Sequence, residues 1–430
     1  MRNPRRQAFT LVELMVAMAL IIFIMAILSE AFVVGMKTFR DLKAVGDMDQ
    51  HLRTITSTLR DDLRNDHFTG RIRLSDPGFW SQGTPREGFF SAVQMTPLQN
   101  TIPVGGITAP GYYDEGPDAD GNHSFVATDH RLHFMVKRRG NQKDRFFSAT
   151  VPAGSPLIPL LPPYPPGTAN PNYVITNFDQ ELGAFDGRLQ DAAGSTYSSQ
   201  WAEVGYFLLP TIDGTLGTTG TGPIGVPLYG LYRCELPVLP DNSNINFPAP
   251  GKTVPIAAGD TNTWSNMPQY LGLSCNPAQD PNNQNNYFIS FNNPSDLTTA
   301  TRRAFDPTNP AIRPNTNPPP GSTRPVLQQQ ATLLMTDVIS FHIQLLFAWD
   351  KAIPQGTGEV LTQENQVYGT FVDFNGFDSG VPLPVSGPPI NDPNRPPDTN
   401  PPRVVAIKIA IRVWDAKTQQ ARQITVVQDM

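Results

Sequence analysis

Apolar and polar positions divide this chain into three regimes. Residues 9–36 form an apolar run of 28 positions with no proline and only two charges, Glu13 and Glu30. A helix of that length can cross the roughly 30 Å of a bilayer core, so the run predicts a membrane-spanning helix. Beyond it, Phe39, Leu42, Val45, Met48, Leu52, Ile55, Leu59 and Leu63 recur every three or four residues. Lys37, Arg40, Asp41, Asp61, Asp62 and Arg64 fall on the other faces. This is the signature of an amphipathic helix, and with no proline between Phe9 and Asp76 the two segments predict one helix running to about Asp66. Its apolar stripe is expected to pack on the chain's own sheet, with an independent coiled coil as the alternative.

After Gly70 the period shortens to two. Strand-like runs appear at 131–137 (RLHFMVK), 202–209 (AEVGYFLL), 228–236 (LYGLYRCEL), 286–291 (NYFISF), 338–349 (VISFHIQLLFAW), 404–414 (VVAIKIAIRVW) and 423–427 (QITVV). They predict one antiparallel sheet or two. Between them lie three proline-dense stretches: eight prolines in the 20 residues 152–171, seven in the 20 residues 306–325, and nine in the 22 residues 381–402. Proline cannot donate to a ladder, so these read as loops or polyproline segments. Strands resume after each, which makes them insertions on one scaffold. The fold class is therefore α+β, a long N-terminal helix packed on an antiparallel β-sheet domain with Pro/Asn-rich insertions.

Composition narrows the function classes. A net charge of -6 with only 16% charged residues provides no basic field for nucleic acid. Pro (44) and Gly (34) exceed average use but stop short of wholesale disorder in 430 residues. Cys234 and Cys275 form no C-x-x-C pair, so no zinc ribbon is possible and one disulfide closing the intervening segment is the most they allow. Whether they pair is not readable from spacing.

The N-terminus carries the most specific chemistry. A short leader with Arg2, Arg5 and Arg6 precedes the apolar run, and Glu13 lies near its start. An ordinary secretory signal with a small-x-small site at Ser29-Glu30-Ala31 is one reading, and the Arg5-Arg6 pair faintly suggests a twin-arginine signal. The long apolar run disfavours the first, as does a carboxylate costing about 2.5–3.5 kcal/mol at mid-membrane depth. Gln7, Ala8 and Phe9 place the aromatic one position late for the second.

The leader ending Arg-Arg-Gln-Ala, followed by Phe9-Thr10-Leu11-Val12-Glu13-Leu14 and an unbroken apolar helix, resembles the class III signal of type IV pilins and type II secretion pseudopilins. The resemblance implies that prepilin peptidase cuts between Ala8 and Phe9, that Phe9 is N-methylated, and that Glu13 is the fifth mature residue. The family normally has glycine where Ala8 stands. It also implies that Glu13 pairs with the N-terminal amine of a neighbouring subunit, which would turn a costly buried carboxylate into a register signal for assembly. A snorkelling, unpaired interfacial glutamate is the plainer alternative. Flanking positive charges, Arg2, Arg5 and Arg6 before the run and Lys37, Arg40 and Lys43 after it, do not set the orientation. The resemblance does: the leader in the cytoplasm, a single pass through the bacterial inner membrane, and the bulk of the chain periplasmic, then in a pilus-like filament.

A helix closing on LRDDLR, then AEVGYFLLP, LYGLYRCELP, LLMTDVISFHIQLLF and PPRVVAIKIAIRVWD, resembles the J-type minor pseudopilin of type II secretion and the related W-type minor pilins. This second resemblance implies a subunit at the filament tip that helps start assembly. Its partners would be other minor and major pseudopilins or pilins, prepilin peptidase and the inner-membrane assembly platform. The domain plan is a cleaved leader at 1–8, a transmembrane half-helix at 9–36, an amphipathic half at 37–70 and a β-rich extracytoplasmic domain at 71–430. A minor pilin of a type IV pilus is the near alternative, and an exported or anchored β-rich enzyme or binding protein the distant one.

Catalytic patterns are poor, so no enzymatic activity and no cofactor are expected. Pro250-Gly251-Lys252-Thr253 lacks the first glycine of a phosphate loop, where Asn246 stands, and no helical pattern comes after it. His130 and His133 are three apart on a predicted strand, hence on opposite faces and expected at its surface. Asp114, Asp118 and Asp120 place oxygen ligands before Gly121 in a way that suits a weak calcium site. However, an EF-hand register puts Gly116 and Ala127 at its two ends, which favours an acidic turn.

Overall fold

The structure, a computed structural model, describes residues 10–77, 79–99, 111–117, 123–140, 145–152, 189–191, 194–212, 215–216, 220–221, 227–238, 253–257, 272–279, 286–303, 331–350, 366–374, 376–380, 402–416 and 418–430. The chain forms two compact units, Met1–Ile55 with Asp415–Gln420, and Thr56–Trp414 with Ala421–Met430. A single helix, α1, runs from Leu11 to Arg64, as the proline-free apolar periodicity requires.

Strands come next in chain order. β1 (Phe90–Val93) precedes the pair β2 (Tyr112–Pro117) and β3 (His123–Ala127), then β4 (Arg131–Lys137) and β5 (Phe147–Pro152). After them lie β6 (Leu189–Asp191), β7 (Gly194–Ser199), β8 (Trp201–Ile212), the two-residue β9 (Thr215–Leu216) and β10 (Gly220–Thr221), and β11 (Pro227–Pro237). β12 (Thr253–Ala257), β13 (Cys275–Gln279) and β14 (Asn286–Phe291) make a small separate sheet. The chain closes with β15 (Ala331–Asp350), β16 (Gln366–Val372), β17 (Gly376–Asp378), β18 (Arg403–Asp415) and β19 (Gln420–Asp429).

Among the described residues the main sheet has the order β17-β1-β4-β8-β11-β15-β18-β19, with β9, β10 and β16 attached beside it. The pairings from β17 through to β18 are antiparallel. All seven strand-like runs of the sequence lie in strands. β15 shows why: Phe341, Ile343, Leu345 and Phe347 alternate along it and are fully buried, opposite Ile411, Ile409, Ile407 and Val404 of β18. Its other face carries Ser340 and His342, over which the β2–β3 hairpin lies; the Ala127 amide donates to Ser340 Oγ (2.9 Å). Near its start β15 bulges against β11 at Asp337, φ 59, a left-handed position that aspartate tolerates.

Helix and sheet are joined by the segment after Arg64. His67 and Phe68 enter the core, and Phe68 bridges to Gly88. Gly88 has φ 90, and a Cβ there would stand 2.1 Å from the His67 carbonyl oxygen, so only glycine fits. Burial on α1 begins at Met48: Leu52, Ile55, Leu59 and Leu63 are buried, whereas Phe39 and Leu42 are 68% and 65% exposed. The stripe expected to be covered throughout is thus covered only in its last turns. The proline-dense stretches fall almost wholly outside the described residues.

Candidate functional site

The chemistry singled out by the sequence sits where α1 begins. Ala8 and Phe9, the expected cleavage and methylation positions, lie outside the described residues. Thr10 and Glu13 are described, and they hold each other. The Glu13 amide donates to Thr10 Oγ1 (3.2 Å), while the Thr10 amide (3.0 Å) and hydroxyl (3.1 Å) both donate to Glu13 Oε2. This is a capping box, which satisfies helix-end amides and fixes the direction of the carboxylate. A Thr-x-x-Glu step ahead of an apolar run is its sequence signal, and the expectation of a partner on another subunit alone overlooked it.

From Leu11 to Arg40 every residue is exposed, including large apolar side chains such as Ile21, Phe23 and Phe32. A helix this apolar with no protein cover suits lipid, and it is long enough to cross a membrane. This single helix among the described residues fits a membrane anchor.

At its other end α1 is tied to the sheet by charge. Asp62, expected on the polar face, is 1% exposed. Arg233 of β11 donates to it through Nε (2.8 Å, to Oδ2) and Nη2 (3.1 Å, to Oδ1), and the Tyr206 hydroxyl of β8 donates to Oδ2 (2.6 Å). Arg233 also reaches Glu235 (2.5 Å). Burial and the Asp62 charge push the Tyr206 hydroxyl well above the usual tyrosine range. For Arg233 burial works against its charge, yet Asp62 outweighs it and the guanidinium is held more firmly protonated. The cause is simple: Asp62 borders the buried stripe of Ile55, Leu59 and Leu63 on α1, and there it meets strands carrying an arginine in register with Tyr206.

The histidines also depart from expectation. His130 is fully buried and His133 nearly so, neither at the surface. His133 Nε2 lies 2.8 Å from Glu203 Oε1, whose other oxygen accepts from Ser274 Oγ (2.5 Å), itself an acceptor from Asn292 Nδ2 (3.0 Å). The serine bonds the carboxylate and not the imidazole, in a largely buried setting, so this is a structural clasp and not a nucleophile array. His130 accepts the Ile343 amide at Nδ1 (3.2 Å). Burial lowers the pKa of both imidazoles, against the hydrogen bond of Glu203 in the case of His133.

A second polar cluster joins Tyr112, His342 and Asp373. The Tyr112 hydroxyl donates to Asp373 Oδ2 (2.6 Å), and His342 Nε2 stands 3.0 Å from Oδ1. These bonds overcome the effect of burial on Asp373 and hold its carboxyl down at about 2.

The calcium candidates are divided. Asp114 lies on β2 with its oxygens engaged by the Gly116 amide (2.8 Å) and His123 Nδ1 (2.7 Å), whereas Asp118 and Asp120 are outside the described residues. No group of three or more His, Cys, Asp or Glu side chains among the described residues is arranged to hold a metal. Thr253, the last position of the phosphate-loop candidate, opens a strand and not a helix. Cys234 is fully buried on β11, and the side chain of Cys275 lies outside the described residues.

Comparison with known proteins adds one match. Residues 3–29 fit the prokaryotic N-terminal methylation motif. No curated protein and no solved structure matches the chain.

Proposed function

We propose that this membrane-anchored, pilin-like chain is a minor pilin-like structural subunit without enzymatic activity. It is processed by prepilin peptidase and assembled at or near the tip of a type II secretion pseudopilus, where it helps start assembly. The observation that carries the reading is the coincidence of the methylation motif at 3–29 with Glu13 standing in the first turn of a bare apolar helix. Cleavage before Phe9 would leave a free amine four residues from that carboxylate, about 6 Å along the axis. Amine and carboxylate on adjacent helices can then satisfy each other only at the correct axial step. The same logic serves a type IV pilus, and the J-type assignment rests on the retained glutamate and the order of the strands. Bulk placement in the periplasm is the consequence of processing on the cytoplasmic side.

The experiment is the mature N-terminus of the full-length protein recovered from its native membranes. Intact mass and N-terminal sequencing are expected to give N-methylated Phe9; a start at Phe32, after Ser29-Glu30-Ala31, overturns the reading in favour of an ordinary exported protein.

A further inference from the structure

The two lateral edges of the main sheet are built differently. At one, β17 is three residues long and closed off: Arg303 holds Asp378, which also accepts the Gly380 amide (2.8 Å), and the Ser379 amide bonds the Phe90 carbonyl (2.9 Å). At the other, β19 presents ten residues and pairs, among the described residues, only with β18. The two strands are joined by residues 416–419, and a connection that short makes them antiparallel. The Met430 amide donates to the Val405 carbonyl (2.9 Å). The two-residue period then turns the amides of Ile424, Val426 and Gln428 toward β18 and those of Gln423, Thr425 and Val427 outward. Gln423, Thr425 and Val427 are also the exposed side chains, with Val427 at 49%. From Gln423 to Gln428 this edge carries no proline, no lysine and no charge; its charges, Arg422 and Asp429, stand to either side of that stretch.

We propose that the outer edge of β19 is a pairing site for an extended strand of a neighbouring membrane-anchored subunit. A row of backbone donors and acceptors is satisfied by extended backbone, whereas an apolar face accepts any apolar cover. The flanking side chains are neutral and β-branched or amide, which suits cross-strand pairing and selects no charge. Size decides where the partner comes from. One ten-residue strand pair buries far less than the roughly 1,200–2,000 Å² of stable free interfaces, so it holds only a chain already concentrated beside it. A neighbour held in the same membrane or filament by its own helix meets that condition. The inference rests on the assembly reading above for the identity of the neighbour.

The test compares hydrogen exchange of the full-length protein in native membranes and sheared filaments with the same protein dispersed in detergent at one copy per micelle. Exchange of the Gln423, Thr425 and Val427 amides is expected to slow at least tenfold in the membrane or filament, with Val426 and Gln428 unchanged. Thr425→Pro removes only an outward amide, so the dispersed variant is expected to keep its melting temperature while the slowing at Gln423 and Val427 disappears. Should that variant unfold, Thr425→Lys gives the same readout through charge. Equal exchange in both states overturns the inference. A chain absent from filaments but slowed at β19 in membranes refutes the assembly reading and keeps the strand-pairing site.

Discussion

A carboxylate in hydrocarbon is stable only with partners, and Glu13 has one within its own chain. The Thr10 amide and hydroxyl both point at Oε2. Under the proposed assembly the capping box would let a single subunit wait in the membrane with its glutamate satisfied, and a neighbour's amine would add to that arrangement instead of rescuing a bare charge. Glu13→Ala is expected to leave processing largely intact, because the residues at the cut are untouched, and to lower recovery in filaments severalfold; incorporation at the wild-type level, measured by blotting of sheared filaments, refutes the pairing role. Thr10→Val should act in the same direction but more weakly, since a lost cap costs about 1 kcal/mol. Thr10→Ser keeps the oxygen and should behave as wild type in the same assay. Glu13 was legible in the sequence because a charge so near the start of an apolar run stands out. Thr10 was legible too, through the Thr-x-x-Glu step, but the expectation of a partner on another subunit passed over it. Buried polar partners such as Asp62, Glu203 and His130 were hidden for a different reason: charge pattern alone assigns them to solvent, and only long-range pairing brings Arg233, His133 and the Ile343 amide to them.

Elements were legible in proportion to how far local pattern alone could form them. α1 and the long strands β8, β11, β15 and β18 arise from apolar period and β-branched runs. The β2–β3 hairpin was missed, because Tyr-Tyr-Asp-Glu-Gly-Pro has little strand propensity. Docking makes it: Ser340 of β15 receives the Ala127 amide, and Arg412 of β18 reaches Glu115 and Ser124, each at 2.6 Å. The end of α1 is held by the same kind of long-range clasp. Asp62→Ala takes the buried partner from Arg233 and leaves it Glu235, so the loss is expected below the roughly 3–5 kcal/mol of a fully stranded buried charge. Urea unfolding of the variant is expected to show that loss. Adding Arg233→Met, which replaces the charge with apolar volume, should recover most of it, whereas a double variant no more stable than Asp62→Ala would mean that Tyr206 carries the joint instead.

At the scale of the whole molecule, buried imidazoles set how stability responds to acid. His67 is enclosed by the rings of Phe90 (5.3 Å) and Phe134 (5.1 Å) with Nδ1 on the Met135 carbonyl (2.7 Å), and burial lowers its pKa despite that bond. His130 and His133 are lowered by burial as well. All three are therefore neutral in the folded chain at a pH where the unfolded chain, with imidazoles near 6.5, already takes up protons. Their contribution is fully present above about 6.5 and is lost as pH falls below it toward the folded values, because there the unfolded state binds more protons. Each can contribute a slope of up to about 1.4 kcal/mol per pH unit, so three acting together reach roughly 4 kcal/mol per unit. Asp129 acts in the opposite sense: burial raises its pKa, so protonation favours the folded chain as pH falls toward the usual carboxylate range. One such group offsets only part of the loss that three histidines produce. Urea unfolding at pH 7.5 and 5.5 should give a clear loss at the lower value, and His67→Leu, apolar and of similar bulk, should remove about a third of the slope. A slope unchanged in that variant would place the acid response at groups other than His67; the Tyr112–His342–Asp373 cluster does not supply it there, because its support for an ionised carboxyl is lost only when pH falls from the usual aspartate value toward about 2.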